Sequence, residues 1–202
     1  MRVEDFEVPQ EADPFYPEML DEVGGLAKPN NLALVAAAAS RLEPGESYVE
    51  IGSFKGASLI AASRAWDGDV VAIDDFSMGE GSRERLEQNL ARFGGHAEIL
   101  EGDAFELLRG GALEGRRVGV YYYDAAHDYE SQLEGLRLIE PYLAERALLI
   151  VDDSDWERVD RAIADYLAEQ PRARELARLG GKDRGHPEWW EGVSIIAWSG
   201  GT

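Results

Sequence analysis

The chain has 202 residues, enough for one domain with an ordinary hydrophobic core. Its 40 acidic and 20 basic side chains leave a formal charge of −20, a field that repels phosphate backbones and anionic lipid, so no nucleic acid and no membrane is expected as a partner. Cysteine is absent, which excludes disulfides, thiolate metal sites and cysteine nucleophiles. The acidic start carries no apolar signal stretch and no apolar run nears the ~20 residues of a membrane span, so a cytoplasmic location is expected.

Residues 1–29 are acidic and punctuated by Pro9, Pro14, Pro17 and Pro29, yet carry Phe6, Phe15, Tyr16, Met19 and Leu20. That content predicts an irregular arm with a short helix, packed on a body formed by 30–202. Asn30 or Asn31 can cap a helix running to Leu42, stopped by Pro44-Gly45. From there short apolar strands alternate with helices. Strands are predicted at 48–51, 70–73, 97–100, 118–123 and 147–151. Helices are predicted at 57–65, from a Ser82 cap to Phe93, at 104–108, 129–143 and 156–168. Two last strands, 174–179 and 193–198, have no helix between them. The pattern predicts an α/β, Rossmann-like, doubly wound and mostly parallel seven-stranded sheet with an antiparallel edge hairpin. Ligands of such sheets bind beyond the carboxyl ends of the strands.

The first strand runs into Glu50-Ile51-Gly52-Ser53-Phe54-Lys55-Gly56. Glycine there permits a tight turn and close approach of backbone to ligand, although G-x-x-x-G is not the G-x-G-x-x-G of dinucleotide binders. Asp74 closes the next strand, 22 residues after Gly52, where a carboxylate can accept from both ribose hydroxyls. Together these point to a nucleoside ligand, while the missing second glycine and the acidic Glu50 disfavour a pyrophosphate. Asp103 either receives an adenine amino group, with Ala104 and Phe105 beside the ring, or caps the next helix.

The fourth strand ends in Asp124-Ala125-Ala126-His127 and the fifth in Asp152-Asp153. Both loops leave the same rim, so Asp124, Asp152 and Asp153 form a hard oxygen set suited to Mg²⁺. His127, three residues after a candidate ligand, can take a proton from a hydroxyl that the metal acidifies. Solvated or helix-capping aspartates and an inert loop histidine are the plainer alternative. Tyr121, Tyr122, Tyr123, Trp66, Trp156 and Trp198 read as core. Trp189 and Trp190 either bury the edge hairpin or line an acceptor pocket with Phe15 and Tyr16. Lys55 can neutralise a ligand carboxylate or simply sit exposed at a helix start.

In this order, E-I-G-S-F-K-G-A-S, A-I-D-D, E-G-D-A, Y-Y-Y-D-A-A-H-D-Y-E and L-L-I-V-D-D-S resemble the class I S-adenosylmethionine-dependent methyltransferases. More narrowly, D-x-x-H-x-Y-E followed by an apolar strand and D-D is similar to a compact family that includes metal-dependent sugar O-methyltransferases of antibiotic biosynthesis. The resemblance implies that Glu50, Gly52, Ser53 and Gly56 surround the methionine part of S-adenosyl-L-methionine. It further implies that Asp74 holds the ribose, that Asp103, Ala104 and Asp124 complete the cofactor site, and that Asp124, Asp152 and Asp153 bind the metal. His127 matches the base. The implied activity is O-methylation of a small-molecule hydroxyl on a sugar diol or catechol-like acceptor. Rival readings are a nicotinamide-dependent oxidoreductase and a metal-dependent hydrolase using the aspartate cluster. A homodimer is suggested by base rates alone.

Overall fold

In a computed structural model, residues 3–181 and 186–200 are described; the extreme ends of the expected arm and body, 1–2 and 201–202, lie outside them. Seven strands form one sheet. They are β1 (Ser47–Ile51), β2 (Asp69–Asp74), β3 (Glu98–Glu101), β4 (Val118–Tyr123), β5 (Leu143–Asp152), β6 (Ala173–Leu179) and β7 (Val193–Ser199). Their spatial order is β3-β2-β1-β4-β5-β7-β6. The first five pair in parallel, and β7 lies antiparallel to both β5 and β6. The order reverses between β1 and β4, and a crevice opens at the carboxyl ends there.

Alternation along each strand divides the core in two. Tyr48, Val70, Val120, Tyr122, Leu148 and Ile150 face one layer. That layer is built by α1 (Phe15–Val23), α2 (Pro29–Ala39), α3 (Ala57–Ala65) and α4 (Arg83–Phe93). Val49, Val71, Tyr121, Tyr123, Leu149 and Val151 face α5 (Ala104–Arg109), α6 (Tyr129–Ile139) and α7 (Glu157–Glu169). Consecutive side chains on a strand point to opposite faces, so the adjacent tyrosines of β4 serve both layers. The arm joins the first layer through Val3, Met19 and Val23, all fully buried.

Several boundaries differ from the sequence reading for local reasons. Pro29 opens α2, since its missing N–H costs nothing at a first helical position, so neither Asn30 nor Asn31 is the cap. The helix stops at Ala39, and Arg41 and Leu42 continue in tight turns onto Ala38 and Ala39 carbonyls. α6 ends at Ile139 because Pro141 allows only a 3-10 turn, Glu140–Tyr142. β5 begins at Leu143, four residues before the expected start, because the exposed Glu145-Arg146 pair interrupts its apolar run.

Candidate active site

The glycine loop between β1 and α3 forms the floor of the crevice. Gly52 has φ +87°, and a Cβ there would lie 1.8 Å from the Asp124 carbonyl, so only glycine lets the ends of β1 and β4 approach. Gly56, also left-handed, packs on α4: a Cβ would meet Leu86 at 2.4 Å. Asp74 at the end of β2 is held from both sides. Its Oδ2 accepts from the Phe54 N–H at 2.8 Å and its Oδ1 from the Phe76 N–H at 2.7 Å. Phe54 and Phe76 both adopt positive φ to deliver those bonds. Each carboxylate oxygen keeps a second lone pair for a ligand hydroxyl. Asp103 caps α5 through the Glu106 N–H at 2.8 Å and, with Ala104 and Phe105, also lines the crevice.

Gly52, Phe54, Asp74 and Asp103 border a cavity of about 650 Å³ that continues past Tyr122, Tyr123 and Asp124 to His127, Asp153 and Trp156. Gly52, Ser53, Asp74, Asp103, Ala104, Asp124, His127 and Asp153 all line it. Glu50, Gly56 and Asp152 do not. Glu50 is fully buried beneath the floor, accepting from Tyr48 Oη at 2.6 Å and Ser58 Oγ at 2.8 Å. Burial pushes its pKa up to about 7, against the opposing pull of those hydroxyls.

At the far end, single ligand atoms of Asp124, His127 and Asp153 lie within 4.8 Å of one another. His127 Nε2 is 2.5 Å from Asp153 Oδ2, and the imidazole stacks on Trp156 with centroids 5.2 Å apart. Of the expected set Asp124, Asp152 and Asp153, the structure brings Asp124 and Asp153 together with His127 at the cavity, while Asp152 does not line it. Asp152 instead faces the α2 layer, where Oδ2 accepts from Tyr122 Oη at 2.6 Å and Oδ1 from Asn31 Nδ2 at 3.4 Å. Burial and the neighbouring carboxylates push Asp124 well above the carboxylate range. A divalent cation would reverse that cost, and two carboxylates with an imidazole are a donor set that fits one.

Sequence reading missed Asn31, Trp156 and the segment from Gly24 to Ala27. Asn31, read as a cap, is buried and also accepts from the Trp190 N–H at 3.0 Å, tying α2 to the loop before β7. Trp156, read as core, is a cavity wall, and its Nε1 donates to Glu191 at 3.1 Å. The tryptophan pair splits, with Trp189 buried in the core and Trp190 on the cavity. Phe15 and Tyr16 stay away from it, and Gly24 to Ala27 supply the arm's contribution instead.

A sheet in this order, with a glycine loop, an acid at the end of β2 and one crevice across the switch point, defines a class I methyltransferase fold. The family model described as a methyltransferase domain matches residues 49–154, and the chain belongs to that family. No curated protein matches the sequence. Among solved structures, the chain is similar to a putative O-methyltransferase from Klebsiella pneumoniae, with TM-score 0.68, 19% identity and coverage of 95% of this chain and 92% of that one. The O-methyltransferase of tomaymycin synthesis from Streptomyces achromogenes, in complex with SAM, gives 0.68, 20%, 95% and 92%. An O-methyltransferase from Bacillus cereus in complex with SAH gives 0.66, 17%, 98% and 95%. At these identities the likeness is one of fold. Family membership places the chain with methyltransferases rather than with nicotinamide oxidoreductases or hydrolases. No helix of the described residues is long and apolar enough to cross a membrane.

Proposed function

We propose that the protein is an S-adenosylmethionine-dependent O-methyltransferase acting on a small molecule that presents neighbouring hydroxyls on a flat ring. The observation that carries this reading is the single cavity joining a nucleoside-type end, Gly52 to Asp74 to Asp103, to the Asp124–His127–Asp153 end. S-adenosylmethionine, when bound, supplies an electrophilic methyl on a sulfonium. Asp74 accepts the ribose hydroxyls, Asp103 and Phe105 flank the base, and the Gly52-Ser53 backbone turns beneath the amino-acid portion. Asp124, His127 and Asp153 would hold a divalent cation, whose chemistry is to lower the pKa of an acceptor hydroxyl.

On the acceptor side the walls are Trp156, Trp190, Leu26 and Ala27. Leu26 and Met78 are 48% and 55% exposed, and both of these exposed large apolar side chains border the cavity. Apolar and aromatic walls favour a planar ring over a polyhydroxylated sugar, so of the two acceptor types the catechol-like one is preferred. Residues 1–29 are then an arm that completes the site of the methyltransferase body, 30–202. Alignment of methyl and oxygen in such an enclosed site can supply ~7–11 kcal/mol of the barrier.

The His127–Asp153 contact supports a second, metal-free reading. With Nε2–H donated to Asp153, Nδ1 is left as the proton acceptor, oriented by the carboxylate as in other acid-supported imidazole bases. Calorimetry with S-adenosylhomocysteine tests the cofactor, and micromolar or tighter binding is expected. Turnover of 4-methylcatechol with Mg²⁺ or Mn²⁺, and after EDTA, then separates the two readings. Loss of turnover in EDTA supports the metal, and full retention supports the dyad. Absence of S-adenosylhomocysteine binding by folded protein overturns both.

A further inference from the structure

Lys55 lies in the middle of the glycine loop and lines the cavity, with its side chain only 15% exposed. Lysine stems normally carry the ammonium outward to water. Here the loop is pinned, the Lys55 carbonyl accepting from Asn89 Nδ2 at 2.8 Å and the preceding Phe54 N–H bonded to Asp74, and the stem lies along the cavity wall. The ammonium rests 4.9 Å from the Phe54 ring centroid, and a Cβ on Gly24, just past the end of α1, would come within 3.7 Å of it. Its ion-pair partner is Glu80 at 2.7 Å, a side chain that is 83% exposed. A pair with so solvated a partner contributes little and exchanges readily.

The charge of the cavity gives this lysine a task. Asp74, Asp75, Asp103, Asp124 and Asp153 line the walls, and Lys55 is the one lysine or arginine among the described lining residues. Lys55 therefore places the one fixed positive side-chain charge of the nucleoside end within reach of a ligand carboxylate at the glycine loop. We propose that Lys55 binds the α-carboxylate of the methionine portion of the cofactor, releasing Glu80 to solvent as it does so. The inference rests on the cofactor reading above and adds a residue and a partner exchange to it.

The test compares two ligands that differ only in that group: S-adenosylhomocysteine and its decarboxylated analogue, 5′-deoxy-5′-(3-aminopropyl)thioadenosine. Both are titrated calorimetrically into the full chain. Hydrogen bonds to charged groups contribute about 1.5–3 kcal/mol, so the wild type should favour S-adenosylhomocysteine by roughly 10–100-fold. Lys55→Met should bring the two affinities together by weakening S-adenosylhomocysteine alone. Lys55→Arg should retain part of the preference, and Glu80→Gln should bind S-adenosylhomocysteine at least as tightly as wild type. Equal affinities in the wild type overturn the role of Lys55 without any variant. A parallel loss of both ligands in Lys55→Met, with no recovery in Lys55→Arg, overturns it as well. If the wild type binds neither ligand, the cofactor reading itself falls.

Discussion

Glu50 and Gly52 stand two residues apart and support the site without being its chemistry. Glu50 has a pKa pushed up to about 7 from a usual 4.5 because it is buried under the glycine loop. The folded state therefore keeps a proton, between pH 4.5 and 7, that the unfolded chain has released. Stability from this group is present at low pH, is lost as pH rises through 7, and is flat above; the shift corresponds to about 3 kcal/mol. Glu50→Gln cannot ionise; its amide oxygen can accept from one of the two hydroxyls, Tyr48 or Ser58, and its Nε2 can donate to the other. Its melting temperature should fall less than that of wild type between pH 5 and pH 8. A constant difference between the two profiles would show that Glu50 is ionised throughout. Gly52→Ala is a different kind of lesion, since the added Cβ meets the Asp124 carbonyl at 1.8 Å in a left-handed backbone. It should cost about 3 kcal/mol or more, a drop in melting temperature of roughly 6–12 °C, and abolish S-adenosylhomocysteine binding.

At the scale of elements, α6 shows how packing overrides propensity. Gly135 sits inside this helix, where alanine is worth about 1 kcal/mol more in isolation. A Cβ at that position would lie 2.3 Å from Tyr123 Cε2, and the Gly135 carbonyl accepts from Tyr121 Oη at 3.2 Å. Gly135→Ala should therefore destabilise by about 1–3 kcal/mol in denaturant titrations, against its propensity; a stabilised variant would mean that the β4 tyrosines yield easily. The glycine did not disturb the sequence reading, because α6 has apolar residues at helical spacing and an Asp128 cap that holds the Ser131 N–H. The strands and the glycine loop were legible for the same reason: each rests on local periodicity or on one residue type at one place. The split between Asp152 and Asp153 was not. Adjacent aspartates at a strand end look equivalent in sequence, and what separates them is a place on the cavity for Asp153 and two distant partners, Tyr122 and Asn31, for Asp152. The distinction has a consequence for α2. Asn31→Leu should leave S-adenosylhomocysteine affinity near wild type while raising the KM of the acceptor, since Asn31 holds the Trp190 loop rather than the cofactor.

Over the whole molecule, 20 more acids than bases leave a self-repulsion that no local contact cancels. Many of the arginines are already committed on the surface, among them Arg83 to Glu87, Arg92 to Glu22, Arg116 to Asp69 and Glu98, and Arg137 to Glu169. Added salt weakens those pairs and relieves the surplus at the same time. Exposed pairs contribute only ~0–1 kcal/mol each, whereas the surplus acts through every unpaired carboxylate, so relief should win. The melting temperature should therefore rise as KCl goes from low concentration to about 0.5 M; a fall would mean that the surface pairs outweigh the net charge. A divalent ion offers a second test on top of this. At fixed ionic strength, millimolar Mn²⁺ should raise the melting temperature further in wild type, because binding to the native state alone adds RT ln(1 + [L]/Kd). The increment should shrink in Asp153→Asn and in His127→Ala and stay near the wild-type value in Glu145→Gln, an exposed acid at the start of β5 far from the rim. An equal increment in all four proteins would reduce the ion to general screening, and the His127–Asp153 dyad would then stand as the base without a metal.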